Sequence, residues 1–171
     1  MKALKALVAL LLVGVCTLVA LRVVLPPLRC NRVKSRVNAS TILPDRAHNS
    51  YRQIRRARSL EAACLRCLEV LPNDADFLAL LASNQRMLGL YDEAERNYRR
   101  SLELNERAET YAYLALLQID RGRFEEARAN MYRACLFDIT QSELVSSPMR
   151  EEIYEAVMAR HTKLRGGSRP E

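Results

Sequence analysis

The side chains of this chain that could do chemistry are few. Cys64 and Cys67 have the Cys-x-x-Cys spacing that occurs in zinc sites and thiol redox motifs. No second Cys or His pair accompanies them. They also fall late in a helical pattern, away from the helix N-terminus that would lower a thiolate pKa. We interpret both as core side chains and predict no metal and no cofactor.

The other candidate residues do not form a catalytic set. His48 and His161 lie far apart, with no carboxylate or cysteine beside them to complete a site, and we interpret both as solvated helix-surface residues. The chain also lacks a Gly-rich phosphate loop and a nucleophile with its base and orienting group. The sequence therefore predicts neither an enzyme nor a small-molecule substrate.

Two positions match modification motifs. Cys30 follows an apolar segment, where a eukaryotic cell could attach a lipid, but no other feature supports this. Asn38-Ala39-Ser40 fits the N-glycosylation pattern, a triplet that often arises by chance. Glycosylation would require export of this segment.

Two stretches, 76–105 and 109–138, read as copies of each other when aligned on Gly89 and Gly122, at a constant offset of 33 residues. The other matched pairs are Leu78 and Tyr111, Leu81 and Leu114, Ala82 and Ala115, Tyr91 and Phe124, Ala94 and Ala127, Tyr98 and Met131, and Ser101 and Ala134. A period of this length predicts two antiparallel helices per unit, which must stack on a neighbour to bury their apolar faces. We predict helices at 76–88, 91–104, 109–121 and 124–137.

Helical patterns also flank the repeats. Residues 47–71 have an apolar position every three or four residues and end at Pro72-Asn73-Asp74. After the repeats, Ser147 as N-cap and Pro148 at the first helical position open a last helix. We expect one side of it to pack on the repeats and the polar opposite side to suit a cap; the packing side would hold Met149, Ile153, Ala156, Val157 and Leu164. With 49% hydrophobic residues, five Gly and no Trp, the composition favours an all-α protein.

The N-terminus predicts a membrane anchor. Residues 6–21 are apolar and uncharged, and Lys5 and Arg22 can extend their charges to the two interfaces. A cleaved signal peptide is the alternative, but the small-residue pattern expected at a cleavage site fails at Leu18 and Val15. We assign 1–27 to the anchor, 28–46 to a basic juxtamembrane tether, 47–165 to a helical domain and 166–171 to a tail.

The charge is divided unevenly along the chain. Residues 1–58 carry +11, and residues 59–171 carry −4. We interpret the excess as contact with anionic lipid and predict no nucleic-acid partner. The predicted membrane-surface contacts are Arg22, Arg29, Arg32, Lys34 and Arg36. This basic flank favours a cytoplasmic domain on a single-pass protein of the plasma or inner membrane, and an odd count of five cysteines agrees with a reducing compartment.

The repeats resemble the tetratricopeptide repeat family. The residues that carry the resemblance are Leu78, Leu81, Ala82, Gly89, Tyr91, Ala94, Tyr98 and Ser101-Leu102 in the first copy, and Tyr111, Leu114, Ala115, Gly122, Phe124, Ala127, Met131 and Ala134-Cys135 in the second. Leu60, Cys64, Cys67, Leu68, Val70 and Pro72 resemble the second helix of a degenerate third copy. The resemblance implies a short α-solenoid, in which Tyr91, Tyr98 and Phe124 would be buried in the space between successive units. The chain departs from the family pattern in the length of its period and at Glu106, a position where the family has Pro.

The resemblance also implies a partner-binding groove on the first helix of each unit. Its residues would be Asp76, Ala79, Leu80, Ser83, Arg86 and Met87 from the first copy, and Glu109, Ala112, Tyr113, Leu116 and Asp120 from the second. The Lys and Asn residues with which some relatives clamp a carboxylate are absent. We expect an apolar floor between acidic ends, suited to a peptide or helix of a partner protein with some basic character.

These observations together predict a membrane-anchored scaffold or adaptor that binds a protein partner, as in envelope-complex assembly. The alternative is an exported periplasmic or extracellular protein with the same binding role after signal cleavage.

Overall fold

In the computed structural model, the described residues are 13–15, 17–19, 21, 25–38 and 50–166, and none of them forms a strand. The helices are α1 (Leu25–Asn38), α2 (Ser50–Val70), α3 (Ala75–Met87), α4 (Tyr91–Leu104), α5 (Ala108–Asp120), α6 (Phe124–Phe137), a 3-10 helix (Ile139–Leu144) and α7 (Ser147–Gly166). The all-α class is confirmed. The four repeat helices begin and end within one residue of their predicted bounds.

The chain divides into two compact units, Met1–Asn73 and Asp74–Glu171. The first contains α1 and α2, which pack on each other, and the second contains α3 to α7. The boundary therefore falls inside the range 47–165 that the sequence assigns to one helical domain.

Helix α1 occupies much of the segment that the sequence assigns to a tether. Pro26 and Pro27 lie in its first turn, where a missing backbone N–H does not break a helical hydrogen bond. They therefore open a helix. Of the α1 side chains that the structure describes, that of Cys30 is the buried one, at 5% exposed. A lone buried position gives no periodic apolar signal, so the sequence pattern could not indicate this helix.

Each repeat turns through the same glycine geometry. Gly89 and Gly122 adopt φ of 77° and 72°, a left-handed conformation that favours glycine. The N–H of Leu90 donates to the carbonyl of Gln85 at 2.9 Å, and the N–H of Arg123 donates to that of Gln118 at 2.8 Å. These bonds satisfy carbonyls that the ends of α3 and α5 would leave open. The constant offset in sequence thus corresponds to a repeated backbone conformation.

Alanines allow the paired helices to approach closely. Ala82 and Ala94 lie in one cluster of the core, and Ala115 and Ala127 lie in another, all four fully buried. Tyr98 is also fully buried, as predicted. In contrast, Tyr91 and Phe124, which we expected to fill the space between the units, are 37% and 54% exposed. They are the first residues of α4 and α6, at the ends of the paired helices.

Helix α7 closes the second unit. Ile153 and Val157 join the same core cluster as Ala115 and Met131, so the predicted cap packs through two of its expected positions. Arg150 at its start donates to the carbonyls of Ser142, Glu143 and Val145 and ties α7 to the preceding 3-10 helix. Another expected core position, Ala156, is exposed.

Among the described residues, no helix combines the length and the apolar character needed to cross a bilayer. Most of the predicted anchor, Arg22, His48 and residues 167–171 lie outside the described residues.

Candidate partner-binding groove

The predicted groove residues fall on α3 and α5, neighbouring helices that contact each other. Its apolar side chains are partly accessible: Leu80, Tyr113 and Leu116 are half-buried, and Met87 is 44% exposed. Ala79 and Ser83 are half-buried as well. Burial and the neighbouring Glu109 carboxylate raise the pKa of Tyr113, so its hydroxyl stays neutral at physiological pH.

Three predicted members belong partly or wholly to the core. Ala112 is fully buried, so a partner could not touch its side chain directly. Leu116 packs against the cluster that contains Ile153 and Val157 of α7. Tyr113 likewise packs against the cluster that contains Ala82 and Ala94, so Met87 and Leu80 are the apolar groove residues better placed for direct contact with a partner.

The charged residues of the groove are paired with each other or with a neighbour. Arg86 donates to Asp120 at 2.6 Å, which joins α3 to α5. Arg107, just before α5, donates to Asp76 and lies 3.9 Å from Glu109. Two arginines thus face three carboxylates, those of Asp76, Glu109 and Asp120, so ion pairing offsets most of the negative charge that we expected at the ends of the groove.

Tyr98 of α4 places its hydroxyl near this pair of helices. The hydroxyl is buried and makes no hydrogen bond of good geometry within the described part of the chain. Burial raises the pKa of Tyr98, while the Arg86 guanidinium and the nearby Ser83 hydroxyl offset part of that rise. Tyr98 therefore stays neutral beside the Arg86–Asp120 ion pair.

The inter-repeat contact includes a carboxylate that sequence reasoning did not single out. Glu95 of α4 accepts from Arg99 at 2.7 Å, from Arg121 at 3.0 Å and from Arg123, with its side chain only 12% exposed. Burial alone would raise the pKa of Glu95, but hydrogen bonds from Arg123 and Arg99 outweigh it and lower that pKa. Glu95 thereby fixes α4 against the turn between α5 and α6.

Each helix pair also holds one amide hydrogen bond. Asn97 donates to Gln85 at 2.7 Å in the first pair, and Asn130 donates to Gln118 at 2.9 Å in the second. Both partners repeat at the offset of 33. These four residues were not predicted as contacts, although their equal spacing in the two copies could have indicated them.

A shallow depression of about 450 Å³ lies between α4, α5 and α6. Its α5 residues, Tyr111, Leu114 and Gln118, are on the side of that helix opposite to Tyr113 and Leu116, given 3.6 residues per turn. Tyr111 donates to Glu106 at 2.8 Å, and the Arg133 guanidinium lies 5.9 Å from the Tyr111 ring. These internal contacts already occupy its polar groups, so we assign no ligand to it.

The thiols of the first unit lie together in its interior. The thiols of Cys67 and Cys30 are close enough to influence each other's ionisation, and Cys64 is fully buried near them. Burial raises the pKa of Cys64 to about 11 and that of Cys67 to about 12, the latter also through Cys30. Within the described ranges, no group of three His, Cys, Asp or Glu side chains is arranged to hold a metal ion.

The predicted membrane-surface residues lie on or before α1. Arg29, Arg32, Lys34 and Arg36 are part of that helix, and Lys34 is half-buried.

Comparison with protein-family models finds no match for the chain. Comparison with curated proteins finds no match either.

Proposed function

We propose that this chain is a protein-interaction module of the tetratricopeptide type. It would bind a peptide or helical segment of a partner protein along α3 and α5, and its N-terminal segment would hold it at a membrane. In this role it serves as a scaffold or adaptor, as in envelope-complex assembly, and it carries out no reaction itself.

The repetition of contacts supports the tetratricopeptide assignment. The two helix pairs share the left-handed turn glycines Gly89 and Gly122 and the amide bonds from Asn97 and Asn130 at one constant offset. Alanines at matching positions bring the helices of each pair together. Repeats of this kind stack into a solenoid, and solenoids use their extended surfaces to bind other chains.

The observation that carries the binding role is the set of accessible apolar side chains on α3 and α5, where ion pairs offset the charge of the neighbouring carboxylates. Along α3, Leu80 lies between Asp76 and Arg86 and Met87 directly follows Arg86. Tyr113 lies between Arg107 and Asp120 along the chain, and the Arg86–Asp120 and Arg107–Asp76 ion pairs offset the charges beside these apolar residues. Apolar and aromatic side chains supply most of the binding energy at protein interfaces, and methionine adapts to different partner shapes. We therefore expect a partner segment with apolar anchors and little requirement for positive charge.

The direct test is photocrosslinking. A photoreactive amino acid replaces Tyr113 in the full chain, and crosslinked proteins are identified by mass spectrometry in native membranes. Met87→Glu and Leu80→Glu should each remove the specific crosslink, because a buried carboxylate without a partner opposes binding.

Matched controls use exposed apolar residues outside the groove. Leu104 and Phe124 are 44% and 54% exposed, comparable with Met87, and their change to Glu should leave the crosslink intact. Circular dichroism checks that each variant remains folded. If the groove variants crosslink like the wild type, or if no protein crosslinks, this binding role is wrong.

The anchor and the exported alternative differ in the mature N-terminus. An intact N-terminal mass and retention in membranes at high salt support the anchor. A shortened mature protein in a soluble exported fraction supports signal cleavage, with the same groove and the same role.

A further inference from the structure

Helix α2 presents a face of exposed arginines whose charges are not neutralised by the described part of the chain. Arg52, Arg55, Arg56 and Arg58 are all exposed, and none of them forms an ion pair with another described residue. We call these four residues the arginine face. Like charges three and four positions apart on one helix repel each other, so this arrangement destabilises α2 in isolation.

The arginines of the second unit behave differently, because most have an acidic partner. The pairs are Arg86 with Asp120, Arg96 with Glu93, Arg99 with Glu95, Arg107 with Asp76, Arg121 with Asp92, Arg123 with Glu95, and Arg128 with Glu152. The arginine face therefore offers four charges that no described carboxylate neutralises and that an anionic surface could pair.

Exposed apolar side chains accompany this charge. Tyr51 is 75% exposed, Ile54 is 40% exposed and Leu65 is 48% exposed, all on the same helix. The opposite side of α2 buries Ala57, Cys64 and Cys67. A helix with arginines and apolar residues together on its outer side suits the bilayer interface, where arginines reach the headgroups and apolar side chains enter the acyl boundary.

We propose that the outer side of α2 docks on a bilayer that contains anionic lipid. The arginine face binds headgroup phosphates, and Tyr51, Ile54 and Leu65 contact the region beneath them. Nucleic acid would pair with the arginines equally well, but it offers no contact for Ile54 and Leu65, and Tyr51 is the one aromatic among these residues that could stack on a base. This inference shares with the proposed function only the location at a membrane and does not depend on the groove.

Because the sequence contains no Trp, a single introduced tryptophan would be the only one to contribute to the fluorescence. Ala62 is exposed on α2 between Arg58 and Arg66, so Ala62→Trp in the full chain reports on this surface alone. Phe124→Trp, at an exposed aromatic position of the second unit, is the matched control. Both proteins are reconstituted in phosphatidylcholine vesicles, with and without phosphatidylglycerol, using brominated lipids as quenchers.

With phosphatidylglycerol present, the fluorescence of the Ala62→Trp protein should shift to shorter wavelength and be quenched, whereas in phosphatidylcholine alone it should do neither. Replacing all four arginines of the face by Gln, or raising the salt concentration, should abolish the response. The fluorescence of the Phe124→Trp protein should not depend on lipid composition.

Three results would overturn the proposal. They are equal quenching of the Ala62→Trp protein in both vesicle types, an unchanged response after the arginine replacements, and a fluorescence shift caused by an oligonucleotide but not by anionic vesicles. Met87→Glu separates the two proposals, since it should remove the groove crosslink while leaving the lipid response of the Ala62→Trp protein intact.

Discussion

The side-chain N–H of Asn130 donates to the side-chain oxygen of Gln118 at 2.9 Å. The same bond joins Asn97 to Gln85 one period earlier in the chain. Gln118 is 1% exposed and Gln85 is 6% exposed, so both acceptors are withdrawn from water. A buried amide needs a partner, and each helix pair provides one across its two helices. These bonds therefore fix the alignment of α3 with α4 and of α5 with α6.

Removing either amide donor should destabilise the second unit. We expect Asn130→Ala and Asn97→Ala each to lower the free energy of unfolding by about 1–3 kcal/mol, because each leaves a buried acceptor unsatisfied. Urea unfolding followed by circular dichroism measures this. Ala129→Ser, at an exposed neighbouring position, is the control and should change little. A neutral result for both Asn variants would mean that water replaces the lost donors.

Glu95 should give the protein a measurable acid sensitivity. Its folded-state pKa is lowered from the ordinary value of 4.5, so its contribution is fully present above the unfolded-state pKa and is lost as the pH falls through the folded-state pKa. Glu95→Gln should lower the free energy of unfolding at neutral pH by about 1–2 kcal/mol. It should also make the loss of stability on acidification smaller than in the wild type. Thermal melts across the acidic range measure both effects.

The control for this variant is Glu93→Gln. Glu93 and Arg96 form an exposed pair at 3.7 Å, which should contribute almost nothing. Equal losses from the two variants would contradict a special role for Glu95.

The turn glycines should be sensitive to substitution for a conformational reason alone. A Cβ added at Gly89 or Gly122 would meet no atom within 4 Å, but both residues have positive φ. Alanine should therefore cost about 1 kcal/mol at each position, and asparagine less, because it tolerates the left-handed region better. Chemical denaturation of the four variants compares them. A much larger loss at one glycine would indicate a packing role instead.

Two substitutions of Tyr98 can distinguish the contribution of packing to stability from that of hydrogen bonding. Tyr98→Phe should be neutral or slightly stabilising, because it removes a buried hydroxyl that makes no good hydrogen bond. Tyr98→Ala should lose about 3–5 kcal/mol through the cavity it leaves. Differential scanning calorimetry measures both. A clear loss in the Phe variant would show that the Ser83 contact forms a true hydrogen bond.

The buried thiols should react slowly while the protein is folded. Cys64, Cys67 and Cys135 are at most 4% exposed, and burial raises their pKa values to about 11, 12 and 11. The reactive thiolate is therefore scarce at neutral pH. In a Cys16→Ser background, a colorimetric disulfide reagent should label them only after urea is added. Rapid labelling of the native protein would contradict the core assignment.

Local signals in the sequence were sufficient for the four repeat helices and for α7, but not for the 3-10 helix between them. The matched glycines, the alanines at the helix contacts and Pro148 at the start of α7 all act through neighbours within a few residues, so their effect can be predicted from spacing. Helix α1 was missed because Cys30 is the buried one among its described side chains, and a lone buried position sets no apolar period.

The sequence by itself determined that the described part of the chain is helical and where its repeats turn, and through a family resemblance it predicted which side chains line a candidate groove. Only the tertiary structure decided the charge of that groove, since Asp120 and Asp76 meet Arg86 and Arg107 across 34 and 31 residues. The physical reason is that a charge is neutralised by whatever lies within a few ångströms, and distances in space between separate helices cannot be read from spacing along the chain.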